Sequence, residues 1–455
     1  MHCTNILYWT WMYLFLFNAH MQDAMAPAHT ADLAWMLVAC ALVLLMTPAL
    51  ACFYAGMVRS KNALNTMMMS VVALGPVALV WALGGYSLAF APGNAFIGSF
   101  DFVALRGVDL APHNGMPHLL FMAFQGTFAV ITTALISGAL VERLRFPVYL
   151  AFIALWLIAV YAPVAHWIWG GGFLAGDGAL DFAGGTVIHV NAAAAALVAA
   201  LVVGPRRDYG RQAMLPHSVP LTLVGTGLLW FGWFGFNGGS ALGASTSAAL
   251  AFVNTFLAPA AALTTWIVID LMRSGRATAI GAATAIVVGL VVITPAAGYV
   301  GPLAAIAMGG LGVIPSYVAL ILRARTRLDD SLDVVAAHGL GGATGALLTG
   351  LFADPAWSGG PAGLLAGHPD QLRIQLVGLV VVIAYSGAAT FVILRAMALV
   401  VPLRDDARTE GVGMDVTQHG EEAYTTGDGA ILITPGDRLP RSTAAASPAL
   451  SGGAS

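Results

Sequence analysis

The spacing of its charges constrains this chain more than any other feature, because long stretches carry none. Between Asp32 and Arg59 lie 26 uncharged residues, and further gaps run from Asn62 to Phe100, Leu110 to Val141, Val148 to Gly176, Phe182 to Pro205 and Ile374 to Leu394. A helix needs roughly 20 apolar residues to cross the hydrocarbon of a bilayer. Two longer gaps, Gln212 to Ile269 and Ala277 to Leu322, each fit a pair of helices, and Val334 to Ala353 fits one more. The gaps together predict an all-α membrane protein with 11 transmembrane helices. Composition agrees: 9% of the 455 residues are charged and 59% are hydrophobic, against roughly 25% charged in a soluble domain. So few charges cannot cover a soluble surface, which disfavours a soluble enzyme, a nucleic-acid binder and a disordered chain. The cysteines Cys3, Cys40 and Cys52 have neither a disulfide framework nor metal-ligand spacing.

Basic residues predict the orientation. Alternate loops hold Arg59 and Lys61, Arg143 and Arg145, Arg206, Arg207 and Arg211, Arg273 and Arg276, and Arg323, Arg325 and Arg327. The opposite loops hold only Arg106 and Arg373. This positive-inside bias places the N-terminus outside and the C-terminus inside, as an odd number of spans requires.

The two ends differ from this core, which covers residues 31–403. Residues 1–30 contain a short apolar run, Ile6 to Phe17, followed by Ala24-Met25-Ala26, where a signal peptidase would cut. The flank before that run lacks Lys and Arg, so an upstream extension with the true start at Met21 or Met25 fits equally well. From Arg404 to residue 455 the chain is polar, and after about residue 424 its Gly/Ser/Ala/Pro content predicts a flexible cytoplasmic tail. Many of the 53 glycines stand at small-xxx-small spacing, which predicts closely packed helices and a narrow pathway rather than a wide aqueous pore.

Ionisable residues inside spans are expensive, and they mark function. His189 in span 5 and His338 in span 10 stand in Gly/Ala/Val surroundings, with Asp181 upstream of the first and Asp333 upstream of the second. Spans 5 and 10 run in opposite directions. The chain therefore reads as an inverted five-helix repeat plus an eleventh helix, an organisation that places transport sites near the bilayer midplane. His189 is eight residues past Asp181 and His338 five past Asp333, or about 12 and 7.5 Å of helix. Neither depth reaches the midplane unless the aspartates themselves lie below the interface. His166 and Trp167, near the end of span 4, read as interfacial belt residues.

Five segments resemble the signature of the ammonium transporter (Amt/Mep/Rh) family. They are Asp181-Phe182-Ala183-Gly184-Gly185-Thr186-Val187-Ile188-His189-Val190-Asn191; Phe124-Gln125-Gly126-Thr127-Phe128; Ile168-Trp169-Gly170-Gly171-Gly172; Trp233-Phe234-Gly235-Phe236-Asn237-Gly238-Gly239-Ser240; and Asp333 to Gly339. Met414-Asp415 and His419-Gly420-Glu421-Glu422-Ala423-Tyr424 resemble the family's cytoplasmic end. Trp169 and Ser240 place the resemblance nearer the bacterial ammonium branch than the Rh branch.

The resemblance implies a role for each residue. Trp169 and Phe128 would recruit ammonium through aromatic faces, Ser240 would accept a hydrogen bond from it, and Asp181 would stabilise the site from nearby without touching substrate. Phe128 and Phe236 would form a gate, and beneath it His189 and His338 would share a proton and line an apolar pore. The resemblance further implies a homotrimer in the cell inner membrane, a PII-type regulatory protein docking on the cytoplasmic face, and no metal or cofactor. Three rivals stand beside transport by recruitment and deprotonation: an ammonium sensor, a passive ammonia gas channel, and a membrane metalloenzyme, for which no HExxH motif or cysteine cluster speaks.

Overall fold

Each charge gap is occupied by helix. The computed structural model describes residues 27–424. In chain order its apolar helices are α1 (Thr30–Met57), α2 (Ser60–Phe90), α3 (His118–Ala139), α4 (Phe146–Gly176), α5 (Gly185–Val203), α6 (Val219–Gly239), α7 (Thr246–Ser274), α8 (Ala279–Ile293), α9 (Pro302–Arg323), α10 (Val335–Phe352) and α11 (Asp370–Val400). Ten of these are long and apolar enough to cross a bilayer, and α8 is the shorter one. Two short helices, α12 (Ala407–Val412) and α13 (Met414–His419), follow. The only strands among the described residues are Pro112–His113 and Met116–Pro117, paired in a small hairpin between α2 and α3. Residues 1–26 of the expected signal or extension segment lie outside the described residues, as does the tail after Tyr424, whereas residues 27–30 begin the first helix.

Glycine spacing sets a close helix contact between α1 and α6. A Cβ placed on Gly235 would lie 2.6 Å from the Leu42 Cβ, and one on Gly239 would lie 2.7 Å from the Ala39 Cβ. No larger residue fits without separating the helices. Within lipid, where helix association depends on packing rather than on expulsion from water, such contacts hold the bundle together.

The shortness of α8 has a local cause. Its helix stops at Ile293, and residues 294–300 continue as irregular chain that is buried almost throughout. Non-helical backbone survives at this depth only if its polar groups are satisfied by protein. Asn254 on α7 does this, its Nδ2 donating to the carbonyls of Ala297 (2.9 Å) and Val300 (2.8 Å). The Pro295 carbonyl accepts from the Phe182 N–H at 3.1 Å, tying this segment to the start of α5.

At the arginine-rich end, four interhelical loops meet in a knot of ion pairs. Glu142, fully buried and in left-handed backbone (φ 70°), accepts from Arg59 Nη2 at 3.0 Å and Arg206 Nη1 at 2.9 Å. Asp329 accepts from Arg206 Nη2 at 2.8 Å and Arg143 Nη1 at 3.4 Å. The tail docks on the same end. Arg404 pairs with Glu410, Asp415 accepts from the backbone N–H groups of Leu64 (3.0 Å) and Asn65 (2.7 Å), and Asn62 Oδ1 accepts from Met414 N–H at 2.8 Å. Basic residues that the loop count assigns to topology alone thus also hold the loops in place.

Burial by itself would raise the Glu142 carboxyl, but Arg206 and Arg59 outweigh it and hold Glu142 below the usual carboxylate range. The Arg206 and Arg143 guanidiniums do the same for Asp329. A depressed carboxylate stabilises the fold above its unfolded pKa, and the contribution disappears as pH falls through the folded value. The thermal midpoint of the purified protein should therefore hold from neutrality to about pH 5 and fall below about pH 4. Glu142→Gln leaves buried arginines short of a partner and should cost about 3–5 kcal/mol, with a flatter acid limb. Thermal unfolding in detergent across this pH range measures both effects.

Candidate functional site

The two histidines singled out by hydropathy sit on matching pieces of backbone. Residues Gly185–Val190 and Val335–Leu340, which open α5 and α10, are each wound as π-helix, and each contains its histidine. π-Helical turns are rare and concentrate at functional sites. An aspartate caps each segment. The Asp181 carboxylate accepts from the N–H groups of Gly184 (2.9 Å), Gly185 (2.6 Å), Thr186 (2.8 Å) and Val187 (2.9 Å). In the second segment the cap is Asp330, whose Oδ2 accepts from Val335 N–H at 2.7 Å.

This corrects the pairing of Asp333 with His338. Asp330 precedes His338 by eight residues, the same separation as Asp181 from His189, whereas Asp333 occupies the place of Gly184. Both Gly184 (φ 111°) and Asp333 (φ 61°) are left-handed, a conformation open to glycine and tolerated by aspartate. The Asp333 carboxylate pairs with Arg323, 2.7 Å distant.

The caps bring the two rings together. His189 Nδ1 and His338 Nδ1 are 3.1 Å apart and both rings are buried. Two ring nitrogens in that relation share one hydrogen, one nitrogen donating and the other accepting. Around them Ile131, Leu229, Trp233 and Val287 leave a cavity of about 10 Å³, about the space of one water centre. Among the described residues His189 Nε2 has no hydrogen-bond partner.

Next along the path lie Phe236, its centroid 6.0 Å from the His189 ring, and Phe128, 4.5 Å from Phe236. The two phenyl rings are buried and stand between the histidines and a vestibule of about 240 Å³ lined by Phe128, Trp169, Ser240 and Gln125. The Trp169 indole N–H donates to the Asp181 carbonyl at 2.8 Å, so its face rather than its N–H is free for a ligand. Ser240 Oγ donates to the Phe236 carbonyl at 2.8 Å, which leaves its oxygen to accept. Trp169, Ser240, Phe128, Phe236, Asp181, His189 and His338 thus lie in one continuous series.

The structure differs from the sequence reading at two residues and adds two others to the site. His166 and Trp167 are buried rather than interfacial: the His166 ring lies between the carbonyls of Ala89 (2.9 Å) and Asn94 (2.8 Å), and the Trp167 N–H donates to Phe96 O at 2.7 Å. They brace the loop after α2. Asp330 was overlooked because Asp333 stands nearer its histidine. Gln125 was read only as part of a motif, although an uncharged polar residue in an apolar span is itself a signal.

Fold and site define a multi-pass membrane protein in which a vestibule, two packed phenyl rings and a small apolar cavity beside two histidines follow one another. The Ammonium Transporter Family profile matches residues 34–424. An ammonium transporter of Aquifex aeolicus is 47% identical over 416 residues, covering 90% of this chain and 97% of that protein. Candida albicans Mep2 superposes with a TM-score of 0.79 at 38% identity, over 84% of this chain and 86% of that one. A structure described as a sensor Amt protein superposes with a TM-score of 0.81 at 30% identity, over 86% and 99%. The chain belongs to the ammonium transporter family.

The Asp181 cap makes four charge-assisted hydrogen bonds, so Asp181→Ala should lower stability by more than the ~0.5–2 kcal/mol of an ordinary helix cap. Asp330→Ala should cost less and Asp333→Ala least. Thermal midpoints of the three variants give the order, and a larger loss for Asp333→Ala than for Asp330→Ala would contradict the capping assignment.

Proposed function

We propose that this protein transports ammonium across the cell inner membrane by recruiting the ion, deprotonating it and passing ammonia through the histidine-lined passage. The observation that carries this reading is the single series of vestibule, paired phenyl rings and paired histidines. In the vestibule the Trp169 and Phe128 faces attract the positive charge, and the Ser240 oxygen accepts one N–H. Asp181 contributes its field from behind the site, its carboxylate being occupied by backbone. Beyond Phe128 and Phe236 a bare cation would lose its hydration in an apolar passage, at large cost. Ammonium avoids this by releasing one proton, crossing as neutral ammonia and regaining a proton on the far side. Potassium and sodium have no proton to release. His189 and His338 supply the one polar surface in the passage, and ring nitrogens that share a hydrogen can hand it on.

In this reading α8 with its buried extension completes eleven spans. The two capped π-helical segments are equivalent parts of an inverted five-helix repeat, and the arginine-rich end faces the cytoplasm. Family membership supports assembly as a homotrimer and docking of a PII-type protein at that end. The likeness to a sensor Amt protein supports sensing as a second reading, in which the docked tail reports occupancy of the vestibule.

Two sets of variants test the proposal. Trp169→Leu and Ser240→Ala should each weaken recruitment by about 0.5–2 kcal/mol, seen as a higher half-saturating ammonium concentration in proteoliposome uptake. Unchanged concentration dependence in both would remove the vestibule from the mechanism. His189→Ala and His338→Ala should each lower ammonium transport and admit potassium, because the route no longer demands deprotonation. Ammonium and potassium currents from equal amounts of protein decide: ammonium-only currents of wild-type size in both variants would return the histidines to a packing role. Ammonium binding to the wild-type protein without any current or uptake would favour the sensor.

A further inference from the structure

Gln125 is a polar side chain in the vestibule with nothing in the protein to bond. It lies on α3, one turn before Phe128, is 9% exposed and lines the vestibule; its carboxamide is not sealed in protein, and among the described residues it bonds to none. Buried polar groups are almost always satisfied, by protein or by what occupies the adjoining cavity. Here the adjoining cavity is the one lined by Trp169 and Ser240.

We propose that Gln125 is a specificity-determining residue, whose carboxamide oxygen accepts an N–H of ammonium that Ser240 and the aromatic rings leave unpaired. The inference rests on the vestibule's being the recruitment site. Ammonium has four N–H groups pointing to the corners of a tetrahedron. Ser240 has its hydrogen committed to the Phe236 carbonyl and can accept one of them. Trp169 has its indole N–H committed to the Asp181 carbonyl and offers only its face, and Phe128 has only a face to offer. The other amide lining the vestibule, Asn114, stands exposed at the tip of the hairpin, where water competes for it. Among the described side chains that line the vestibule, Gln125 supplies a second acceptor beside the part-buried Ser240, and it is the more deeply buried of the two.

Its chemistry suits the task. A carboxamide oxygen has two lone pairs and a partial negative charge. It compensates an N–H as the ion sheds water, without the grip of a carboxylate that would hold a cation and slow its release. The protein keeps its nearby carboxylate, Asp181, occupied by four backbone N–H groups. Directional acceptors at two corners of the cavity also distinguish ammonium from methylammonium, which has one N–H fewer and a methyl group that gains nothing from an amide oxygen.

The test compares concentration-dependent uptake of ammonium and methylammonium in proteoliposomes of the full chain. Gln125→Leu keeps the bulk and removes the acceptor. It should raise the half-saturating concentration of ammonium about tenfold or more, the weight of one hydrogen bond to a charged group, and that of methylammonium about threefold or less, so that the preference for ammonium narrows. Gln125→Glu should lower the half-saturating concentration and the maximal rate together. If Gln125→Leu does not fold, Gln125→Asn withdraws the same amide by one methylene and takes its place in the comparison. Equal shifts for the two substrates, or none, would overturn the inference, provided that Trp169→Leu weakens recruitment in the same preparations. If Trp169→Leu has no effect either, the vestibule reading itself falls and this inference with it.

Discussion

The structure depends on the Asp181 carboxylate satisfying four backbone N–H groups at the buried start of α5. A helix that begins below the surface of a membrane protein exposes orphan N–H groups where no water can reach them, and each costs several kcal/mol if left alone. One carboxylate answers four of them. Because the cap is intramolecular, α5 begins deep enough to put His189 well inside the bundle, and the Asp181 carbonyl remains available to orient Trp169. The vestibule and the histidine pair are thus fixed by the same residue from opposite sides. Asp330 repeats the arrangement for His338 with a thinner set of bonds.

The depth problem posed by residue spacing is resolved in this way. Helix rise from Asp181 or Asp333 leaves both histidines short of the midplane if those aspartates lie at the surface. The aspartates that matter, Asp181 and Asp330, are buried, and irregular backbone leads into each of them. Packed side chains, including Asn254, do the work that water does elsewhere.

How much of this was legible beforehand varied with the physics involved. The helices were legible because hydrocarbon tolerates so few charges, and His189 and His338 were conspicuous for the same reason. The choice between Asp330 and Asp333 was not legible. Both are aspartates close upstream of His338, and what separates them is a left-handed backbone angle that leaves no mark on residue type when aspartate replaces glycine. The length of α8 was hidden because residues 294–300 are as uncharged as the helix before them. His166 was misjudged because a histidine beside tryptophans near a helix end has the composition of a membrane belt, whereas its placement comes from carbonyls some 70 residues earlier. Gln125 carries no charge, so a search guided by charge passes over it.

The glycine-lined contact between α1 and α6 has a consequence for how the molecule is made. Gly239 follows Met57 by 182 residues, and ribosomes elongate at roughly 5–20 residues per second. The small-residue face of α1 therefore waits about 10–40 s in the membrane before the helix shaped to fit it has been synthesised. Throughout that interval the face is open to lipid or to a neighbouring nascent chain with a similar stripe. The seam between α1 and α6 is therefore a late pairing in the molecule's biogenesis, and a substitution there would act on assembly yield before it acted on any property of the assembled protein.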